Sequence, residues 1–195
     1  MRVLQVGAGS WGSSWAQVVA GAPSVELVGI VDLDPGALAR VGDLVGVPRE
    51  RRFDSLAEAL ARVEVDAALV VVPPAAHAGV AIEALEAGLH CVVEKPFALR
   101  LAEAGDVVRR AEDVGRILMV NQDQRYTRGA RTVRRLVAEG ALGPVGAIRV
   151  RFSQAPTARP FHLELAEPLL LDMAIHHFDQ LRAIGCEIDR VWARS

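Results

Sequence analysis

Short apolar runs recur through the first 120 residues, each followed by a segment whose apolar positions return every three or four residues. The runs at 2–6, 25–31, 52–53, 66–72, 89–93 and 117–120 predict strands. The run at 66–72 is continuously apolar after Asp66, as expected of a parallel strand covered on both faces. The segments 13–20, 35–45, 55–62, 77–87 and 99–114 predict helices. Punctuation agrees: Asp34 ahead of Pro35 suits a helix cap, Gly88 a C-terminal stop, and Pro73-Pro74 the end of a central strand. Strand and helix therefore alternate. This predicts an α/β domain over residues 1–120, built on a doubly wound parallel sheet.

The pattern changes after residue 120. Residues 121–126 are polar and 140–146 form a turn. Between them, 127–139 predicts an amphipathic helix with Ala130, Val133, Leu136 and Val137 inward and Arg128, Arg131, Arg134 and Arg135 on a solvated face. Residues 145–152 alternate, Val150 and Phe152 on one face and Arg149 and Arg151 on the other, which predicts a strand. A proline-containing loop follows at 154–161, and 169–179 suits a buried helix. The expectation is a second, incomplete α+β domain over 121–195 with an open sheet. Such an edge invites pairing with another chain, so the full-length protein is expected to be a homo-oligomer.

Composition narrows the class. Half of the 195 residues are hydrophobic (51%), 24% are charged and the formal net charge is −2, so nucleic acid is not an expected partner. The N-terminal run passes straight into a glycine loop, without the h-region or cleavage site of a signal peptide. No apolar run reaches the length of a membrane span. Two cysteines, Cys91 within an apolar run and Cys186, do not suggest a disulfide framework. A soluble, cytoplasmic protein is expected.

Candidate chemistry lies where predicted strands end. Gly7, Gly9 and Gly12 form G-x-G-x-x-G between a strand and a helix, with Ser10 and Trp11 inside the motif. In that context the first glycine permits a tight turn, the second lets backbone approach a pyrophosphate, and the third lets helix pack on strand. Asp32 follows Gly12 by 20 residues at the end of the second strand. A carboxylate there accepts from an adenosine ribose diol and repels a 2'-phosphate, which favours NAD over NADP. Pro73 and His77 lie toward the same edge; His77 also suits a helix-start residue bonded to backbone.

The fifth strand delivers Glu94-Lys95-Pro96 to that edge. Lys95 is the single lysine beside 21 arginines. A lysine that persists against so strong an arginine bias points to a need for an amine, whose pKa moves readily on burial while guanidinium stays charged. Asp172 and His176 stand four apart in an apolar stretch, one helical turn from each other. Ionisable groups there must be paired or face a cavity. They form either an acid/base unit, the carboxylate orienting the imidazole, or a structural hydrogen bond. His177 is neighbouring structure or half of a metal-binding pair; no third and fourth ligand accompany it, so no metal is expected.

Taken in order, the glycine motif, Pro73-Pro74-x-x-His77, Glu94-Lys95-Pro96 and Asp172-x-x-x-His176 resemble the Gfo/Idh/MocA family of nicotinamide-dependent oxidoreductases. The resemblance implies a Rossmann domain binding NAD(P) through Gly7, Gly9, Ser10, Trp11, Gly12, Asp32, Pro73, His77 and Glu94. It also implies an α/β second domain walling a pocket for a carbohydrate-like small molecule. Lys95, Asp172 and His176 would be the catalytic set, used on sugars, cyclitols or their derivatives. Family members often carry glycines where this chain has Glu167-Pro168 and Ala174, which bears on substrate identity. They are also usually longer, so the chain looks like a fragment or a truncated relative. Hydride transfer from a secondary hydroxyl is the leading expectation. A non-redox, NAD-using lyase or glycosidase and a nucleotide-binding module without turnover stand beside it.

Overall fold

The computed structural model describes residues 1–153 and 168–192. It separates into two units, Met1–Asn121 and Gln122–Ser195. In the first, β1 (Arg2–Val6), β2 (Glu26–Val31), β3 (Arg52–Phe53), β4 (Ala67–Val70), β5 (His90–Val93) and β6 (Leu118–Val120) alternate with helices. These are α1 (Ser10–Ala20), α2 (Pro35–Val45), α3 (Leu56–Arg62), α4 (His77–Glu86) and α5 (Leu101–Asp113). The strands form one parallel sheet in the order β3-β2-β1-β4-β5-β6, the doubly wound arrangement expected.

Side-chain alternation explains how the sheet is covered. Leu4 and Val6 of β1, with Ala68 and Val70 of β4, pack on the face that buries Leu56 of α3, Leu85 of α4 and Val107 of α5. Val3, Ala67 and Leu69 face the other way, with Val19 of α1. Ile30 joins Ala16 of α1 and Leu38 and Val41 of α2. Both faces are dry, which is why β4 is apolar throughout. Local signals set the helix ends: Asp34 accepts from Gly36 N–H at 2.8 Å, and the Ser55 hydroxyl accepts from Glu58 N–H at 3.3 Å.

Arg2, at the start of β1, grips Asp66 just ahead of β4. Asp66 Oδ2 accepts from Arg2 backbone N–H at 2.7 Å, and Oδ1 accepts from the guanidinium at 2.7 Å. The guanidinium and that N–H hold the Asp66 carboxyl at about 2, below its ordinary 3.8. A depressed folded-state pKa stabilises above the unfolded value and stops doing so as pH falls through the folded one. Asp66→Asn is therefore expected to be less stable than wild type at neutral pH. The gap should close as pH falls from about 4 to about 2 in urea denaturation at a series of pH values.

Several expectations are corrected. Helix α1 starts at Ser10, not residue 13, so Gly12 lies inside its first turn. Strand β4 ends at Val70, before the two valines ahead of Pro73. In the second unit, α6 (Arg128–Ala138) forms where predicted but buries no residue, and Val133 is 43% exposed. Residues 145–152 form no strand, and no strand occurs in this unit among the described residues. Alternation alone does not make a strand; a ladder partner does, and none is present among the described residues. The loop expected at 154–161 lies outside the described residues. The expected buried helix is a π-helical turn, Leu169–Ala174, running into α7 (Ile175–Ala183), with Leu169 and Leu170 exposed and Asp172 and His176 buried.

Candidate active site

The sheet register lines up the candidate site residues of the first unit. Val31, Val6, Val70, Val93 and Val120 are successive register partners across β2, β1, β4, β5 and β6. The residues that follow them, Asp32, Gly7, Val71, Glu94 and Asn121, therefore emerge along one edge, at the carboxyl ends of the strands. Chain order reverses between β1 and β4, the switch point beside which open α/β sheets bind ligands.

Gly7 has φ +108°, and a Cβ there would lie 2.4 Å from the Val71 carbonyl oxygen. A Cβ on Gly12 would lie 2.3 Å from the Gly7 carbonyl oxygen. The protein itself thus demands glycine at both positions. It makes no such demand at Gly9, where a Cβ would meet nothing within 4 Å. Gly9 is the N-cap of α1 and supplies no side-chain acceptor to the first-turn N–H groups, and Ser10 and Trp11 beside it are exposed. An uncapped helix start behind an open glycine suits a pyrophosphate.

Half-buried Asp32 accepts from Ala8 N–H at 2.5 Å through Oδ2 and from Asp34 N–H at 2.8 Å through Oδ1. These bonds fix its carboxylate beside the glycine loop, where a ribose diol could donate to the remaining lone pairs and a 2'-phosphate would meet like charge. The donor set and the open loop fit NAD.

Glu94 and His77 sit deeper than the sequence suggested. Glu94 is 4% exposed. Its Oε1 accepts from the Trp15 indole N–H and the Asn121 amide, each at 2.7 Å, and its Oε2 accepts from Lys95 N–H at 3.0 Å. The Glu94 side chain thereby joins α1, the end of β5 and the end of β6. Trp15 and Asn121 were not anticipated; nothing local marks them. His77, 1% exposed, opens α4, and its ring nitrogens lie 2.7 Å from Pro96 O and 2.9 Å from Val72 O. Burial lowers its pKa, opposed by those two carbonyls and by Glu94. Each ring nitrogen faces a backbone carbonyl, in keeping with a helix-start residue bonded to backbone, and the ring lies between the exposed Pro73 turn and the segment bearing half-buried Lys95.

In the second unit, Asp172 and His176 are 6% and 3% exposed. Asp123, absent from the sequence-based set, places Oδ1 3.9 Å from His176 Nδ1. Asp179 accepts from Arg125 Nε at 2.7 Å, which pins the 3-10 turn Asp123–Tyr126 to α7 and raises the arginine pKa. His177 lies against Phe152, ring centroids 5.4 Å apart, and among the described residues no cluster of potential ligands could hold a metal. Cys91 and Cys186 are free thiols; burial pushes Cys91 up to about 12, which makes it a poor nucleophile. No helix among the described residues is long and apolar enough to cross a membrane.

Comparison with known proteins agrees with this geometry. Residues 1–122 match the family described as "Oxidoreductase family, NAD-binding Rossmann fold", and residues 130–195 match the GFO/IDH/MocA C-terminal domain. Myo-inositol 2-dehydrogenase of Thermotoga maritima is 27% identical over 99% of this chain and 58% of its own. A crystal structure of a probable dehydrogenase from T. maritima superposes with TM-score 0.86 at 26% identity, over 96% of this chain and 56% of that one. The WlbA dehydrogenase of Bordetella pertussis, in complex with NADH and UDP-GlcNAcA, is 30% identical with TM-score 0.66, over 72% and 43% of the two chains. The chain spans about half the length of the curated relatives it matches. By fold, by the edge that gathers Gly7, Asp32 and Glu94, and by both family matches, this chain belongs to the Gfo/Idh/MocA family of oxidoreductases, whose Rossmann fold binds NAD.

Proposed function

We propose that the complete protein is an NAD-dependent dehydrogenase that oxidises a secondary hydroxyl of a sugar, cyclitol or polyol derivative. The observation that carries this is the strand-end row, which brings an open glycine loop, a ribose-binding carboxylate and the segment bearing the single lysine to one edge of one sheet. The myo-inositol and UDP-sugar names of relatives point to the substrate class.

When bound, NAD supplies the hydride acceptor. The protein's residues handle the proton and the charge. His176 takes the hydroxyl proton. Asp172, one turn earlier, orients the ring, and the Asp123 carboxylate, 3.9 Å from Nδ1, stabilises its charged form. The Lys95 ammonium donates to the reacting oxygen and holds the negative charge that develops there. Asp32 holds the adenosine ribose and the N–H groups of α1 hold the pyrophosphate.

The test is a panel of inositols, sugars and nucleotide sugars with NAD and the complete protein, followed by NADH absorbance. Stoichiometric NADH supports a dehydrogenase. Product formation that requires NAD without net NADH replaces it with a lyase or glycosidase. Saturable NADH binding with no turnover on any member replaces it with a binding module.

A further inference from the structure

We infer that Gln5 is a positioning residue of the NAD site, whose side-chain amide braces the glycine loop by donating to both Gly7 and Gly12. The inference rests on the NAD reading above and adds to it a residue outside the glycine motif.

Gln5 is the next-to-last residue of β1, between Leu4 and Val6, and is 0% exposed. A central strand of a doubly covered parallel sheet is where a branched apolar residue is expected, and a buried amide costs stability unless bonded. Gln5 Nε2 donates to the Gly7 carbonyl oxygen at 2.8 Å and to the Gly12 carbonyl oxygen at 2.8 Å. Its Oε1 has no hydrogen-bond partner among the described residues. The buried amide thus makes two donor bonds, at the expense of an unsatisfied acceptor.

The two carbonyls belong to the first and third glycines, where the chain leaves β1 and where α1 makes its first turn. One planar NH2 holding both fixes the start of α1 relative to the strand, and so the direction in which the first-turn N–H groups point. A Cβ at residue 12 would come within 3.3 Å of this Nε2, so the third glycine makes room for the brace as well as for Gly7. Few side chains could replace it. Methionine matches the length without donors, glutamate turns acceptors toward two carbonyls, and asparagine falls one methylene short.

The experiment is NADH binding by fluorescence titration to the complete wild-type protein, Gln5→Met and Gln5→Glu. Gln5→Met should weaken binding by about tenfold or more, the loss of two hydrogen bonds. Gln5→Glu should bind worst at high pH and recover as pH falls and its acid form regains one donor, while wild type lacks this recovery. A purely structural role would lower stability without that pH profile. If wild type binds NADH and Gln5→Met binds within about twofold of it, the role of Gln5 is overturned and the NAD site stands. If wild type does not bind NADH, both are overturned. Should the variants not fold, a crystal structure of wild type decides: both Nε2 to oxygen distances within about 3.2 Å support the brace, and either beyond about 3.5 Å overturns it.

Discussion

Arginine at position 95 is expected to leave NADH affinity near the wild-type value and to lower turnover of the complete protein by about a thousandfold. The split follows from where the residue stands. The glycine loop and Asp32 belong to β1, β2 and α1, whereas Lys95 follows β5. Its backbone N–H serves Glu94, and arginine keeps that bond. What changes is the head group. An ammonium is a compact charge with three donors on a flexible stem, whereas a guanidinium is planar, wider and reaches further. A reacting oxygen held for a single donor would be displaced by that width, and a 1 Å misplacement alone can cost about a hundredfold. Positive charge at the site survives the exchange, so a role limited to net charge predicts little change. Single-turnover NADH formation separates the two: turnover within about tenfold of wild type would remove Lys95 from the chemistry.

What could be foreseen and what could not divides along physical lines. Gly7 and Gly12 are legible because the turn and the packing they serve lie within one strand and one helix start. Asp32 is legible because a parallel sheet puts the ends of adjacent strands side by side. Glu94 was legible only as part of a motif. Its indole partner lies 79 positions away and its amide partner 27, and only the order β1-β4-β5-β6 makes them neighbours. Gln5 escaped because one polar residue in an apolar run does not disturb the strand pattern. The failure at 145–152 has the opposite character: the local pattern is clear, but strand formation depends on partners that no local pattern supplies. The π-helical turn before α7 was invisible because shifting bonds from i−4 to i−5 leaves composition and approximate periodicity unchanged. Asp172 and His176 are nonetheless buried as their setting required, while Leu169 and Leu170 beside them are exposed.

Glu94→Gln is expected to destabilise the protein by about 2 kcal/mol, and Glu94→Ala by about 4 kcal/mol, because the side chain is the common acceptor for three buried or half-buried donors. A carboxylate can serve all three. An amide has one oxygen, so if that oxygen keeps Trp15 and Asn121, its NH2 is turned against Lys95 N–H; reversed, it is turned against the other two. Alanine leaves all three donors without this acceptor and adds a cavity. The effect should be specific to the network. In a Trp15→Phe background, where one donor is already gone, Glu94→Ala should cost less than in wild type, with a coupling of about 1 kcal/mol in urea denaturation. Additive losses would mean that Trp15 and Glu94 do not share a bond. The same carboxylate ties helix α1 to the backbone of Lys95. Glu94→Gln should therefore reduce both NADH affinity and turnover, whereas Lys95→Arg reduces turnover alone. A Glu94→Gln protein with wild-type stability and wild-type NADH affinity would show that this buried carboxylate organises neither.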